Sequence, residues 1–409
     1  MERSNIRMNV LFLTLVEINS IDERGIYQDL LRTFLSEGHH VTVVTPLERR
    51  RKIASNLKSS KKLNILQVKT FNIQKTNILE KGIGTLAIEY QYLNSIKKHL
   101  GLIKFDLILY STPPITLTKV IEYIKRRDSA YSYLLLKDIF PQNAVDMQMM
   151  KPEGLIHRLF VKKEKRLYQI SDTIGCMSEA NKKYIIRLNP EINPSKIEVN
   201  PNSILPIQMN LNEDTKSKIR TKYNIPLHKK VFVYGGNLGK PQGLDFLLET
   251  IKTNKNETVF FLIIGSGTEY KRIEKWFFIN KPPNAILLSS LPKNDFDYLL
   301  ATCDVGLIFL NKDFLIPNFP SRLLSYLEMK LPVLAATDSN SDIGDIIENA
   351  ECGYKVVSGD IQQMNVTINK LASEDDLYTM GTNSWTLLQN EFLIEKSYNL
   401  ISEKIVHEK

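Results

Sequence analysis

The residues best suited to chemistry lie in the stretch Val231–Glu249, VFVYGGNLGKPQGLDFLLE. Gly235, Gly236 and Gly239 follow the apolar run Val231–Tyr234. A helix carrying Leu244, Leu247 and Leu248 on one face is expected from about Pro241. A strand that breaks into glycines and re-forms as a helix sets bare backbone N–H groups beside a positive helix end, which suits a phosphate. Lys240 adds a point charge inside the same turn. Tight βα connections also use glycine with no ligand, and the dinucleotide pattern GxGxxG is absent. The stretch alone leaves both readings open.

Other candidates sit just after predicted strands. Gly265-Ser266-Gly267 follows Phe260–Ile264 and suits either close backbone approach to a nucleotide or a short turn. In Asn318–Tyr326, NFPSRLLSY, Pro320 and Ser321 signal a helix start, with Ser321 as a possible cap. Arg322 in that first turn opposes the helix dipole, so a bound anion would relieve it. An exposed arginine that costs a few tenths of a kcal/mol is the plainer account. Lys137-Asp138 ends the apolar strand Tyr131–Leu136, where a carboxylate suits either a substrate hydroxyl or a turn cap. Asp295 and Asp297 have metal-pair spacing, yet Asn294 or Asp295 fits an N-cap after Pro292 better. The six histidines form no ligand cluster, and neither GxSxG nor HExxH occurs, so no metal and no cofactor are expected.

The elements that must position these groups follow an α/β alternation. In the first half the expected strands are Asn9–Thr14, His40–Thr45, Ile65–Phe71, Asp106–Tyr110, Tyr131–Leu136, Thr173–Met177 and Lys196–Val199, with helices between them. Arg49–Lys62 is basic and reads as a mobile loop. Leu155–Ile170 mixes an apolar stripe with Lys162, Lys163, Lys165 and Arg166, the pattern of a core-facing helix or of one lying on an anionic membrane. Pro201–Pro206 reads as a hinge, and Val231–Tyr234, Thr258–Ile264, Ala285–Leu288, Asp304–Phe309, Val333–Ala336 and Tyr354–Val357 as a second set of strands. Glu374–Lys404 is helical with no strand after it. Ligands of such sheets bind beyond the carboxyl ends of the strands.

Composition sets the bounds. A chain of 409 residues has room for two or three cores, and 43% hydrophobic with 24% charged residues is ordinary for a soluble globular protein. The net charge of +9 favours an acidic partner: nucleic acid, an anionic membrane or a phosphorylated substrate. Nucleic acid is the weakest of the three, because the lysines are dispersed and no recognition motif occurs. Cys176, Cys303 and Cys352 stand singly, which fits a reducing compartment. No apolar run approaches the roughly 18 residues of a membrane span. Met8 is an alternative start, which would make Met1–Arg7 a dispensable leader.

The C-terminal motifs YGGNLGKPQGLDFLLE, FLIIGSGTEYKRIE, SSLPKNDFDYLLATCDVGLIFL, FPSRLLSYLEMKLPVLAA and CGYKVVSGD occur in register. They resemble the nucleotide-sugar domain of family 4 glycosyltransferases, a retaining group with the GT-B fold of two facing Rossmann-like domains. SEGHHVTVVT, LLLKDIFPQNAV, IGCMSEANKKYI and VNPNSI are similar to that family's N-terminal domain. GNLGKPQG, KDIFPQ and PSRLLSYL most resemble a bacterial branch that makes capsule and O-antigen repeat units, N-acetyl-L-fucosamine transferases among them.

The resemblance implies an α/β chain of doubly wound domains. Residues 1–203 would bind the acceptor and residues 204–384 the nucleotide sugar, while a helix in 385–409 would cross back to the first domain. It implies a UDP-sugar donor and a polyprenyl-diphosphate-linked sugar acceptor at the cytoplasmic membrane face. Gly236, Asn237, Gly239, Lys240, Ser321, Arg322 and Leu323 would hold the diphosphate, Gly265, Gly267 and Leu291 the nucleoside, and Gly25 a first-domain loop near the donor. Asn237 and Gln242 stand where many members carry the diphosphate-binding Arg and Lys, and Lys240 and Arg322 are expected to substitute. Pro317 and Ser325 replace the family's E-x7-E acidic pair, and Glu328 lies one turn on. Asp138 falls near the place of a histidine often found in the acceptor-side site and is the expected catalytic group. A nucleotide-sugar 2-epimerase and an inactive nucleotide-binding scaffold subunit are the rival readings.

Overall fold

Short apolar runs become the strands of two mostly parallel sheets, and amphipathic stretches become the helices that cover them. The computed structural model describes residues 7–73, 78–374 and 377–406. All but Arg7 of the expected leader, and His407, lie outside the described residues. The chain forms two compact units, residues 1–204 with 394–409, and residues 205–393.

In the first unit the strands are β1 (Asn9–Leu13), β2 (His40–Glu48), β3 (Asn56–Ser59), β4 (Leu63–Thr70), β5 (Leu107–Ser111), β6 (Tyr131–Leu136), β7 (Thr173–Cys176) and β8 (Ile197–Val199). Their order is β3-β4-β2-β1-β5-β6-β7-β8, so the sheet winds outward in both directions from β1. Val10, Phe12, Val41, Val43, Leu107 and Leu109 on one face, and Leu11, Leu13, Val44 and Ile108 on the other, are fully buried, as expected of strands covered on both faces. The expected mobile loop Arg49–Lys62 is instead a helical turn, Arg49–Arg51, followed by β3, which pairs antiparallel with β4. Leu57 and Lys58 gain ladder partners in Leu66 and Ile65, which a polar composition does not reveal.

The second unit holds β9 (Lys230–Asn237), β10 (Val259–Ser266), β11 (Ala285–Ser289), β12 (Val305–Phe309), β13 (Val333–Thr337) and β14 (Gly353–Val357), ordered β11-β10-β9-β12-β13-β14. All pairings are parallel. One expectation changes. The strand does not break at Gly235 but runs on to Asn237, because Gly236 pairs with Gly265 and Asn237 with Ser266. The helix begins at Leu244 rather than Pro241, after a tight turn Lys240–Gln242 and Gly243 in the left-handed region.

The final helical stretch divides at Leu393, not at Trp385. Helix Leu377–Glu391 stays with the second unit: Ser384 Oγ donates to the Leu331 carbonyl at 2.7 Å, and Leu387 and Leu388 are buried. Gly381 allows this approach, since a Cβ there would stand 2.3 Å from the Lys330 carbonyl oxygen. Helix Ile394–Val406 belongs to the first unit, where Ile394, Ile401 and Ile405 pack among Leu30, Leu31 and Phe34. Tyr398 meets Phe34 edge-on at 4.9 Å, and its hydroxyl lies 2.9 Å from His39 Nε2. The backbone passages between the units also touch, Ile394 N donating to the Ile204 carbonyl at 3.0 Å. Ile401→Ala should lower stability by about 2–5 kcal/mol, the range for truncating a fully buried aliphatic side chain. Urea unfolding of the full chain measures it.

Candidate functional site

In the second unit the winding direction reverses between β9 and β12. Strands part at such a point, and their C-terminal ends open a crevice. β12 matches β9 only at Val305 with Phe232 and Gly306 with Val233. Beyond that register, Gly235 N and the Leu307 carbonyl have no ladder partner in each other. The Tyr326 hydroxyl satisfies both, accepting from Gly235 N and donating to Leu307 O, each at 3.0 Å. Its ring lies against Gly306, where any Cβ would meet it at 2.5 Å. Phe296 covers Gly235 in the same way, 2.7 Å from where a Cβ would stand.

Residues after β9, β10 and β12 then converge. The C-terminal ends of β9 and β10 and the residues just after them touch backbone to backbone: Leu238 N donates to Ser266 O and Glu269 N to Leu238 O, both at 2.9 Å. A Cβ on Gly265 would fall 1.9 Å from the Gly236 carbonyl oxygen. The loop after β12 is tied to the Lys240–Gly243 turn through Asn311 N donating to Pro241 O at 3.0 Å. Asn311 Nδ2 donates to Lys240 O at 3.3 Å. Lys240 itself is exposed at the rim.

Arg322 reaches into this place from the start of helix Arg322–Glu328. Its guanidinium lies 4.1 Å from the Tyr234 ring centroid, and Nη2 donates to Gln242 Oε1 at 2.6 Å and to Asn237 O at 3.4 Å. A Cβ on Gly236 would be 3.7 Å from Cζ. Nη1 is buried with no hydrogen-bond partner. A buried donor on a cation without an acceptor is costly. Burial raises the Tyr234 hydroxyl above its ordinary pKa, against the pull of the adjacent guanidinium, so it stays neutral beneath the cation.

Several expected residues take other places. Ser321 occupies the N-cap position but makes no side-chain cap bond, because its backbone is already helical there. Leu323 donates its amide to Pro320 O and buries its side chain, so it seats the helix. Leu291 is half-buried before helix Lys293–Leu300, whose N-cap is Pro292 rather than Asn294 or Asp295. Asp297 is buried against Lys293, and the described residues hold no group of three or more metal-capable side chains. Gly25 lies in the first unit, at the N-cap of helix Ile26–Ser36. Glu328 is buried and accepts from Ile207 N at 2.8 Å, an anchor for the segment entering the second unit.

In the first unit, Lys137 and Asp138 follow β6 beside the cis-proline segment Thr112-Pro113-Pro114 after β5. Thr112 Oγ1 accepts from the amides of both residues at 3.1 Å and donates to the Asp138 carbonyl at 2.9 Å. Asn143 Nδ2 donates to Asp138 Oδ2 at 2.6 Å. Burial outweighs that bond and pushes the Asp138 carboxyl up to about 6. Lys137 Nζ donates to Asn200 O at 3.1 Å, and burial brings its ammonium down to about 7. Asn143 Oδ1 and Asn200 Oδ1 are buried without partners. Sequence reasoning missed Tyr234, Gln242 and Tyr326 as organisers. The only signal was that Gln242 and Tyr326 fall inside conspicuous motifs.

Residues 215–383 match the family Glycosyl transferases group 1. This region spans most of the second unit and includes every expected donor residue from Gly236 to Arg322 and Leu323. Over 324 residues the chain is 24% identical to the Pseudomonas aeruginosa protein named "Probable glycosyltransferase WbjE", covering 78% of each. Among solved structures it is similar to sucrose-phosphate synthase from Thermosynechococcus elongatus, with TM-score 0.75 and 13% identity over 98% of this chain and 99% of that one. It is also similar to Anabaena HepE in complex with UDP and glucose, with TM-score 0.71 and 14% identity over 98% of this chain and 100% of that one. The fold is GT-B, with two Rossmann-like units, and the group 1 match together with this fold supports a glycosyltransferase.

Gly265→Ala should force the ends of β9 and β10 apart at the Gly236–Gly265 pair. The expected loss is about 1–3 kcal/mol, the usual penalty of overpacking. Thermal and urea unfolding should show it, whereas Gly38→Ala, with open space at the Cβ position but a left-handed φ of +94°, reports backbone strain alone.

Proposed function

We propose that this protein is a retaining, metal-independent glycosyltransferase that moves a sugar from a UDP-sugar to a polyprenyl-diphosphate-linked saccharide. The second unit binds the donor and the first unit the acceptor. The observation that carries the reading is the Arg322 guanidinium, stacked on Tyr234, fixed on one edge by Gln242 and unpartnered at buried Nη1. A diphosphate oxygen at Nη1 completes its hydrogen bonding. Lys240 at the rim adds a second positive charge, so negative charge gathering on the departing UDP is stabilised without a metal ion. The matched family region and the UDP held by Anabaena HepE support the donor class.

The donor sugar we propose is an N-acetylated deoxy-amino sugar such as N-acetyl-L-fucosamine, and the product a capsule or O-antigen repeat unit. The resemblance of GNLGKPQG, KDIFPQ and PSRLLSYL supports this choice. Asp138 is the proposed catalytic residue. Its carboxylate, held by Asn143, accepts a hydrogen bond or proton from the acceptor hydroxyl. The acceptor lipid implies peripheral association with the cytoplasmic face of the membrane. No described helix is long and apolar enough to cross one.

A thermal-shift comparison of UDP, GDP, ADP and CMP tests the donor class. UDP at about 100 times its dissociation constant should add roughly 2.7 kcal/mol to the native state. Arg322→Ala and Lys240→Ala should each weaken UDP binding, Arg322→Ala by about tenfold or more, the loss of one charge-assisted hydrogen bond. Unchanged affinity in both removes the diphosphate site.

Asp138→Asn should spare UDP binding and cut transfer. Because the reactive form is the carboxylate and its pKa is raised to about 6, the transfer rate should fall as pH drops through 6, and Asp138→Asn should abolish that limb. Full activity of Asp138→Asn would remove its catalytic role. Binding of UDP with no turnover of any UDP-sugar would instead favour the scaffold reading, for which Pro317 and Ser325 in place of acidic residues speak.

A further inference from the structure

Helix Leu155–Ile170 is anchored at its far end and bare at its near end. Leu167 and Tyr168 are fully buried, and Phe160 packs edge-on against Phe140 at 5.0 Å. In the first two turns, by contrast, Leu155 is 86% exposed, Ile156 64% and Leu159 43%, and Met149 just before them is 61% exposed. On a helix of 3.6 residues per turn, Leu155, Leu159 and Ile156 share an outward arc of about 100°. These side chains fill no core.

Their setting is cationic. Residues 151–166 contain Lys151, Arg158, Lys162, Lys163, Lys165 and Arg166 against Glu153 and Glu164. Glu164 is engaged by the buried Tyr168 hydroxyl at 2.9 Å. Lys163, Lys165 and Arg166 pair with Glu89, Glu191 and Glu122. Lys151, Arg158 and Lys162 form no ion pair among the described residues, and Arg158 and Lys162 lie along one edge of the apolar arc. A groove of about 930 Å³ runs along the same helix between Arg158, Lys162, Lys165 and Arg166.

We infer that the first two turns of this helix, with Met149 and Lys151, are the surface by which the protein lies on an anionic lipid bilayer. An apolar arc immersed among acyl chains, with unpaired cations at headgroup level, matches the way interfacial helices bind. The free cations select an anionic surface over a neutral apolar one. The inference deepens the acceptor reading by naming the contact, and none of these residues belongs to the proposed diphosphate site.

The test is co-sedimentation of the full-length protein with phosphatidylcholine vesicles and with vesicles that also contain phosphatidylglycerol. Wild type should partition to the phosphatidylglycerol vesicles, and salt should weaken it. Leu155→Ser/Ile156→Ser/Leu159→Ser should lose at least about tenfold in partitioning. Arg158→Gln/Lys162→Gln should lose about fivefold per cation removed, on anionic vesicles only. The substituted positions are exposed, so unfolding midpoints and the UDP thermal shift should stay at wild-type values. A donor-site failure is thereby separated from a surface failure. Wild-type partitioning by the triple serine variant, equal binding to both vesicle types, or no vesicle binding by wild type would overturn the inference. So would a wild-type dimer that the serine variant abolishes in the absence of vesicle binding, since the arc would then be a contact between copies.

Discussion

The crevice at the end of the second sheet depends on one tyrosine hydroxyl. Where β9 and β12 run side by side, the ladder holds them together. Where they part, two backbone groups would be left buried and unpaired, and Tyr326 takes both. A parallel sheet can open a crevice only if the groups uncovered by the opening find partners elsewhere. Gly306 and Gly235 then read as consequences, the first admitting the tyrosine ring and the second the ring of Phe296.

The two units treat charge differently. In the second, a permanent cation is stacked on a neutral phenol and held on one edge by a glutamine, with its buried Nη1 unpartnered. In the first, a lysine and an aspartate adjacent in sequence are both drawn toward neutrality by burial, with the aspartate near 6 and the lysine near 7. A fixed positive site suits a leaving group that gains negative charge. A carboxyl poised near neutrality suits a hydroxyl that must give up a proton or be held while it does.

The sequence carried the strands well, because buried parallel strands are short runs of Val, Ile, Leu and Phe between helices of regular period. Among the described residues, all six strands of the second unit and seven of the eight in the first stand where those runs are. β3 escaped because it is an edge strand of polar residues, stabilised by pairing rather than by burial. The helix after β9 starts later than its glycines suggest, because their neighbours in β10 keep them in the sheet. Gly236, Lys240, Gly265 and Arg322 were legible as candidates from residue type and place. That Gln242 holds Arg322, and that Tyr326 spans two strands, depends on contacts across 80 and 91 residues, which no local pattern encodes.

The helix Ile394–Val406 makes the second unit an insertion into the first. The chain leaves the first unit at Ile204 and returns at Ile394, and the two passages are hydrogen-bonded to each other. During synthesis, the face formed by Leu30, Leu31 and Phe34 must therefore wait while nearly two hundred further residues are made before its cover arrives. The second unit is the one that can close on itself as soon as it leaves the ribosome. The nascent first unit carries an open apolar face for that interval, and is the part of this protein for which a chaperone's holding time would matter.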